Sequence, residues 1–138
     1  MKRPIFVYGT LLDGNIRGHV LGRLSSHLGP RARLKNYCCV HVKHKAYPSI
    51  KKRAFSSTTG RIIYRLPAAL VLALDDYEGS EYGRINVRIN VRGQVLIATC
   101  YIAKQAAEIS CIPWKINSRV WQRRRESYIR SQFSQSKF

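Results

Sequence analysis

The chain of 138 residues has the length of one ordinary domain, and 45% of its residues are apolar, so it can bury a real core. Its 25 Lys and Arg face only 7 Asp and Glu, and the net charge of +18 favours anionic ligands without determining a fold. No stretch reaches the ~20 apolar residues of a membrane-spanning helix, and the N-terminal apolar run lacks a small-residue cleavage site, so we expect a soluble, cytoplasmic protein without membrane association.

The N-terminal half is predicted to contain short strands and one helix. Residues 4–8 are an apolar, β-rich run that stops at a glycine, which indicates a buried strand entering a tight turn. Apolar residues recur at helical spacing between Asn15 and Leu28, so a short or broken helix is predicted there despite two glycines. Residues 32–42 and 59–66 are predicted strands, with a turn or sheet edge at Tyr47-Pro48.

The C-terminal half contains the clearest helix and hairpin patterns. Pro67 opens a predicted helix that continues to about Tyr77 and ends at a glycine. Apolar and polar residues alternate over 85–91, Gly93 turns the chain and residues 95–103 return, which is typical of a β-hairpin. Because strands dominate and their connections are mostly hairpin-like, we predict an α+β fold, a small and mainly antiparallel β-barrel with one or two packed helices.

The predicted barrel domain spans residues 1–105, and residues 106–138 form a basic extension. In this extension Ser118 is expected to cap a helix over 119–133 that interleaves arginines with aromatic residues. Arginines bind phosphates and aromatic rings stack on bases, so weak polyanion or nucleic-acid binding by the tail is one hypothesis. A solvated basic helix is the alternative.

The cysteines lack the spacing of a zinc site, and we expect no metal. They are predicted to be buried free thiols: Cys38, Cys39, Cys100 and Cys111.

Four of the seven acidic residues lie close together: Asp75, Asp76, Glu78 and Glu81. In the predicted helix, Glu78 follows Leu70 and Leu74 at intervals of four residues, so its side chain is expected on the same inward face. Apolar surroundings and neighbouring carboxylates both raise the pKa of such a group, which suits it to general acid–base chemistry near neutral pH. The alternative is that Glu78 ends a helix and pairs with Arg84 or another cation.

The turn after the first strand is the second candidate element. Successive backbone N–H groups in Tyr8-Gly9-Thr10-Leu11 can form a concavity that holds an anion, and the glycine permits close approach. A glycine after a strand is equally compatible with an ordinary turn.

Five segments follow one another along the chain: FVYGTLL, Tyr47-Pro48, TGRIIYRL, LDDYEGSEYGR and a hairpin ending at Tyr101. In this order and at these distances they resemble the γ-glutamylcyclotransferase-like family, especially its small branch of γ-glutamylamine cyclotransferases and plant avirulence-induced relatives. The resemblance covers about residues 4–103. It implies a five- to six-stranded barrel around a pocket, in which the Tyr8–Leu11 loop binds the carboxylate end of the substrate and Glu78 is the acid/base.

The resemblance also implies a reaction that needs no cofactor. Glu78 would take a proton from the α-amine of a γ-glutamyl amine or peptide, the amine would close onto the γ-carbonyl to form 5-oxoproline, and Glu78 would protonate the departing amine. Tyr47 and Tyr82 are candidates to line the pocket, with ordinary packing as the alternative. Arg84 matches a family position and is interpreted first as a partner of the acidic cluster and second as a substrate contact. A binding-only protein that keeps the pocket is a further possibility.

Overall fold

The computed structural model describes residues 3–22, 28–105 and 108–133. These ranges hold six strands and three α-helices, and a short 3-10 turn at Thr10–Leu12 lies between the first strand and the first helix. The elements in chain order are β1 (Ile5–Val7), α1 (Gly14–Leu21), β2 (Leu28–Val42), β3 (Pro48–Ile63), α2 (Ala68–Glu78), β4 (Tyr82–Val91), β5 (Gln94–Ala103), β6 (Ile109–Pro113) and α3 (Arg119–Phe133).

Five strands form a closed barrel in the order β3-β1-β5-β4-β2, and β2 pairs again with β3 to complete the ring. The pairs are antiparallel except for β1 and β5, which run parallel where Ile5 lies beside Thr99. β6 pairs with the end of β2. The predicted α+β barrel is therefore confirmed. It carries three α-helices instead of one or two, because the C-terminal segment also folds as a helix against the barrel.

Elements with strong local signals lie where the sequence predicts them. α2 follows Pro67 and ends at Gly79, which has a φ of 75° and donates its N–H to the carbonyl of Asp75. In the β4–β5 hairpin, Arg92 and Gly93 have φ values of 50° and 82°, the positive values that a two-residue hairpin turn requires.

Three other predictions need correction. α1 ends at Leu21 because Gly22 adopts a φ of 59°, and Leu28 already belongs to β2, while the intervening residues 23–27 lie outside the described ranges. β3 begins at Pro48 and not at residue 59, because pairing with β2 extends the strand through a polar, basic run that lacks apolar alternation. Among the cysteines only Cys100 is fully buried, and Cys111 is exposed because it lies on β6 outside the ring.

The described part of the C-terminal extension is closely attached to the barrel. α3 begins after Ser118, whose hydroxyl accepts the N–H of Trp121 at 3.2 Å, as predicted for a cap. Trp114 and Trp121 are buried with ring centroids 5.5 Å apart, and the Trp114 indole donates to the carbonyl of Ala46. The domain boundary at residue 105 stays a prediction. None of the helices in the described ranges is long and apolar enough to cross a membrane.

An ion pair fastens α3 to the start of α1. Asp13 caps α1 by accepting the N–H groups of Asn15 and Ile16 at 2.9 and 3.3 Å, and Arg125 pairs with both of its carboxylate oxygens. Burial acts to raise the pKa of Asp13, but the hydrogen bonds from Arg125 and the two amides outweigh it, so the pKa is lowered.

Replacing Arg125 by Gln should lower the free energy of unfolding by about 1–3 kcal/mol, because it leaves a buried carboxylate with fewer partners. Replacing the exposed Arg123 by Gln is the matched control and should change little. Urea unfolding measures both. The contribution of Asp13 is complete above its unfolded pKa of 3.8 and is lost as the pH falls through its lower folded value, so the Arg125 effect should shrink in acid. Equal effects of the two variants would contradict this assignment.

Candidate active site

A cavity of about 220 Å³ lies where the turn after β1 meets α2 and α3. Glu78 lines this cavity together with the whole Tyr8–Leu11 turn. Tyr47 and Tyr82 line it as well, so seven of the eight predicted site residues share one cavity. Two segments some seventy residues apart in sequence thus face the same small space, as the mechanism inferred from the sequence requires.

Arg84 is the predicted site residue that does not line the cavity. It is exposed, and its Nε lies 3.4 Å from Oδ1 of Asp75, which also accepts the hydroxyl of Tyr101 at 2.6 Å. The prediction that Arg84 pairs with the acidic cluster agrees with this geometry. The second interpretation of Arg84, as a substrate contact, stays a prediction for a residue that lies outside the lining of this cavity.

Glu78 is the last residue of α2 and is positioned by Leu74, which is fully buried one turn earlier. Within the described residues, no hydrogen bond or ion pair engages the Glu78 carboxyl, so the alternative of a helix-end salt bridge with Arg84 is wrong. Burial raises the pKa of Glu78 to about 8. The expected effect of neighbouring carboxylates is not among the causes, and Asp75 is already paired with Arg84.

The Tyr8–Leu11 turn, which lines the same cavity, has backbone N–H groups without partners inside the turn. The N–H groups of Leu12 and Asp13 close the turn onto the carbonyls of Gly9 and Thr10, each at 2.9 Å. The N–H groups of Thr10 and Leu11 come before these bonds and cannot be satisfied inside the turn. They are therefore suited to bind an anion.

A close neighbour leaves no room for a side chain at Gly9. A Cβ at this position would lie 2.9 Å from Cγ of Pro48. The carbonyl of Pro48 in turn accepts the hydroxyl of Tyr82 at 2.6 Å. The glycine thus lets the start of β3 approach the turn and helps to fix one cavity wall.

A chain of hydroxyl groups runs along the cavity and was not predicted from the sequence. Oγ1 of Thr10 and the hydroxyl of Tyr77 are 2.6 Å apart, and a second 2.6 Å hydrogen bond joins Tyr77 to the hydroxyl of Tyr128. Tyr77 precedes Glu78 on the inward face of α2, and this position was a signal that could have identified it. Tyr128 comes from α3, so the basic extension supplies part of the cavity wall.

The tyrosine hydroxyls around Glu78 stay protonated near neutral pH, because burial raises the pKa of each of them. The hydroxyl of Tyr8 donates to the carbonyl of Tyr101 at 2.6 Å, and that of Tyr47 donates to Glu81 at 3.2 Å. With its hydroxyl bound to Pro48, Tyr82 presents mainly its ring to the cavity. Glu78 is therefore the lining group best suited to exchange a proton near pH 8.

The aromatic residues of α3 face the barrel and not the solvent. Trp121 is only 1% exposed, and Phe133 stacks on the rings of His19 and Tyr77 at 4.3 and 6.1 Å. In this arrangement these rings cannot provide the stacking on bases that the tail hypothesis requires. The outer face keeps exposed arginines: Arg119, Arg123, Arg124 and Arg130.

A small closed barrel with a cavity that joins a half-buried carboxyl to a backbone anion turn defines a class of proteins built to hold a small polar ligand. The family model for AIG2-like γ-glutamyl cyclotransferases matches residues 5–123. The chain belongs to this family. The match extends into α3, beyond the segment on which the sequence resemblance was based.

The chain is 26% identical to AIG2-like protein D of Arabidopsis thaliana over 85 residues, which are 62% of this chain and 55% of that protein. It thus spans about half the length of this relative. A solution structure of an Arabidopsis thaliana protein has a TM-score of 0.67 at 19% identity, covering 97% of this chain and 81% of that one. A solved γ-glutamyl cyclotransferase has a TM-score of 0.62 at 18% identity, covering 75% and 67%. At these identities the solved structures show a shared fold.

Proposed function

We propose that this protein is an enzyme of the γ-glutamyl cyclotransferase type, which releases 5-oxoproline and an amine from a γ-glutamyl amine or peptide. The proposal rests chiefly on the one cavity that Glu78 shares with the Tyr8–Leu11 turn. Membership of the AIG2-like γ-glutamyl cyclotransferase family supports the same class of reaction.

In the proposed complex, the α-carboxylate of the substrate accepts hydrogen bonds from the N–H groups of Thr10 and Leu11. This end of the substrate is negatively charged in every γ-glutamyl compound, so the turn recognises the part that all candidate substrates share. The α-amine and the γ-carbonyl then lie toward Glu78. The variable amine points to the rim of the cavity, where specificity is decided.

The reaction needs one proton acceptor that later becomes a donor. Glu78 takes a proton from the α-ammonium group, and the freed amine attacks the γ-carbonyl carbon to form the five-membered ring. The bond from that carbon to the leaving nitrogen then breaks as Glu78 returns this proton to the departing amine. Glu78 also relays a second proton from the ring nitrogen to the same amine, which leaves in its protonated form. The products are 5-oxoproline and a free amine, and the carboxyl ends in its starting state.

The raised pKa of Glu78 matches this task. An ordinary α-amino group has a pKa of about 7.7–8.0, and a carboxylate with the usual pKa of 4.5 would be a far weaker base than the amine it must deprotonate. With a pKa of about 8, Glu78 exchanges a proton with the amine at almost no free-energy cost. Burial beside the neutral tyrosines thus prepares the carboxyl for this step.

Incubation with a panel of γ-glutamyl amines and dipeptides, with mass-spectrometric detection of 5-oxoproline, tests the proposed function. At least one compound should give 5-oxoproline and free amine in equal amounts. Saturable ligand binding without any product would instead identify a binding-only protein. If no compound of the panel binds and none gives product, the proposal of a γ-glutamyl site is refuted.

The acidic side of the pH–rate profile should reflect the ionisation of the Glu78 carboxyl. Because the base acts in its ionised form, kcat/KM should fall by about tenfold per pH unit as the pH drops below about 8. Initial rates between pH 5 and pH 9 measure this. A profile that declines only near pH 4.5 would contradict the raised pKa of Glu78, and a profile that stays flat over the whole range would mean that the Glu78 carboxyl is not the base.

A further inference from the structure

The outer wall of the barrel is basic and carries no compensating acid of its own. Strands β2 to β5 lie wholly within the described ranges and contain neither Asp nor Glu. The acids lie on loops and helices: Asp13, Asp75, Asp76, Glu78, Glu81, Glu108 and Glu126. The excess positive charge of the protein is therefore partly concentrated on the strands.

Basic side chains from three neighbouring strands converge on one surface groove of about 660 Å³, here called the bulge groove. Lys35 comes from β2, Lys52 and Arg53 come from β3, and Arg88 comes from β4, and all four are exposed. None of the described residues that line the groove is acidic. Like charges on neighbouring strands repel and lower stability, so folding alone does not favour this arrangement.

The groove lies where the β2–β3 ladder is interrupted. Lys35 pairs with Ser57, but Tyr37 pairs with Lys52, so residues 53–56 bulge out of the sheet. At the tip, Phe55 has a φ of 66°, which is rare and unfavourable for a bulky side chain. Its N–H donates to Oδ1 of Asn36, which also has a φ of 66°.

The ring of Phe55 contributes no buried apolar area that would offset this strain. Its ring is fully exposed and belongs to neither core cluster, although phenylalanine usually buries a large apolar area. Tyr37, half-buried on β2, lines the same groove, as do the amide side chains of Asn36 and Asn86. The groove thus combines exposed aromatic surface, amide hydrogen-bonding groups and four cations.

We propose that the bulge groove binds single-stranded nucleic acid. Phe55 stacks on an unpaired base, the Asn36 and Asn86 amides are placed for hydrogen bonds to base edges, and the cations contact phosphates. A duplex fits less well, because its bases are already stacked on one another. An anionic membrane also fits less well, because the groove is concave and a single exposed ring offers little apolar area for insertion.

The exposed arginines of α3 form the competing basic surface. That surface lacks the aromatic component, since Trp121, Tyr128 and Phe133 pack against the barrel. The contributions of the two surfaces to binding can therefore be distinguished with two variants that each remove two positive charges. K52Q/R53Q removes two cations from the groove, and R123Q/R124Q removes two from α3.

Fluorescence anisotropy of the full chain with a labelled twelve-nucleotide single strand, from 50 to 200 mM salt, tests the proposal. Loss of two phosphate contacts in K52Q/R53Q should reduce the slope of log K against log salt by about 1.4, and R123Q/R124Q should leave it nearly unchanged. Phe55→Ala should weaken binding by about tenfold through lost stacking. Circular dichroism should show that all three variants remain folded, because every replaced side chain is exposed.

Three results would overturn the proposal. Binding that weakens equally in R123Q/R124Q would move the interaction to α3 or to the overall charge. Unchanged affinity in Phe55→Ala would remove the aromatic role. Phe55-dependent binding to phosphatidylserine vesicles, with no binding to the oligonucleotide, would identify a membrane surface instead.

Discussion

Replacing Glu78 by Gln should reduce the release of 5-oxoproline by about 10²–10⁴-fold, the usual contribution of a general acid–base group. The amide keeps the shape of the carboxyl but can neither take the ammonium proton nor return it to the leaving amine. Because Glu78 forms no ion pair within the described residues, the substitution breaks no bridge that the fold needs. Rates should therefore fall while circular dichroism stays unchanged.

Asp76→Asn is the matched control for this experiment. Asp76 lies on the same helix two residues earlier, is exposed and does not line the cavity, so its neutralisation should leave turnover within about twofold of the wild type. Comparable losses in both variants would indicate a general effect of charge near α2. Turnover that survives in Glu78→Gln would exclude Glu78 as the acid/base.

The raised pKa of Glu78 also predicts how the stability of Glu78→Gln, relative to the wild type, changes with pH. Burial raises the pKa of Glu78 from 4.5 to about 8, so the folded wild type holds a proton that the unfolded chain releases between these values. The wild type therefore loses stability as the pH rises through this window, whereas the amide introduced by Glu78→Gln does not titrate. Relative to the wild type, Glu78→Gln should be more stable at pH 9 than at pH 4, as measured by thermal unfolding.

Replacing Trp121 by Ala should have the largest effect on stability. Trp121 is 1% exposed and its ring lies 5.5 Å from Trp114 and 5.6 Å from Tyr128, so truncation leaves a large cavity at a cost of about 3–5 kcal/mol. For a chain of this size the Tm should fall by roughly 10 °C or more. Differential scanning calorimetry measures both quantities.

Trp121→Phe tests how much of the effect of Trp121→Ala comes from lost ring packing. Phe keeps most of the apolar contact and removes the indole N–H, for which the described residues provide no hydrogen-bond partner. It should therefore cost clearly less than Trp121→Ala. Since α3 supplies Tyr128 to the cavity, the Ala variant should also raise KM. An unchanged Tm in Trp121→Ala would show that α3 does not belong to the folded core.

Features set by local chemistry were predictable from the sequence. The β4–β5 hairpin follows from strict alternation and a glycine turn, and α2 follows from Pro67 and Gly79 at its ends. The inward position of Glu78 follows from its spacing to Leu74. The Tyr8–Leu11 turn was recognised because a strand ends there at a glycine, although the reason for that glycine, the nearness of Pro48, is a tertiary contact.

Features set by distant partners were not predictable. The first half of β3 is basic and polar, and it becomes a strand only because β2 lies beside it. The bond from Tyr77 to Tyr128 joins residues 51 positions apart, and nothing in the sequence near either residue indicates it. The sequence pattern placed the aromatic residues of α3 on a helix but did not indicate that they face the barrel.

A crystal structure of the protein soaked with 5-oxoproline tests the central assignment most directly. We expect the carboxylate of the product within hydrogen-bonding distance of the Thr10 and Leu11 amides, and the lactam nitrogen within about 3 Å of the Glu78 carboxyl. Product bound outside this cavity, or bound with its ring more than one ligand length from Glu78, would contradict the assignment.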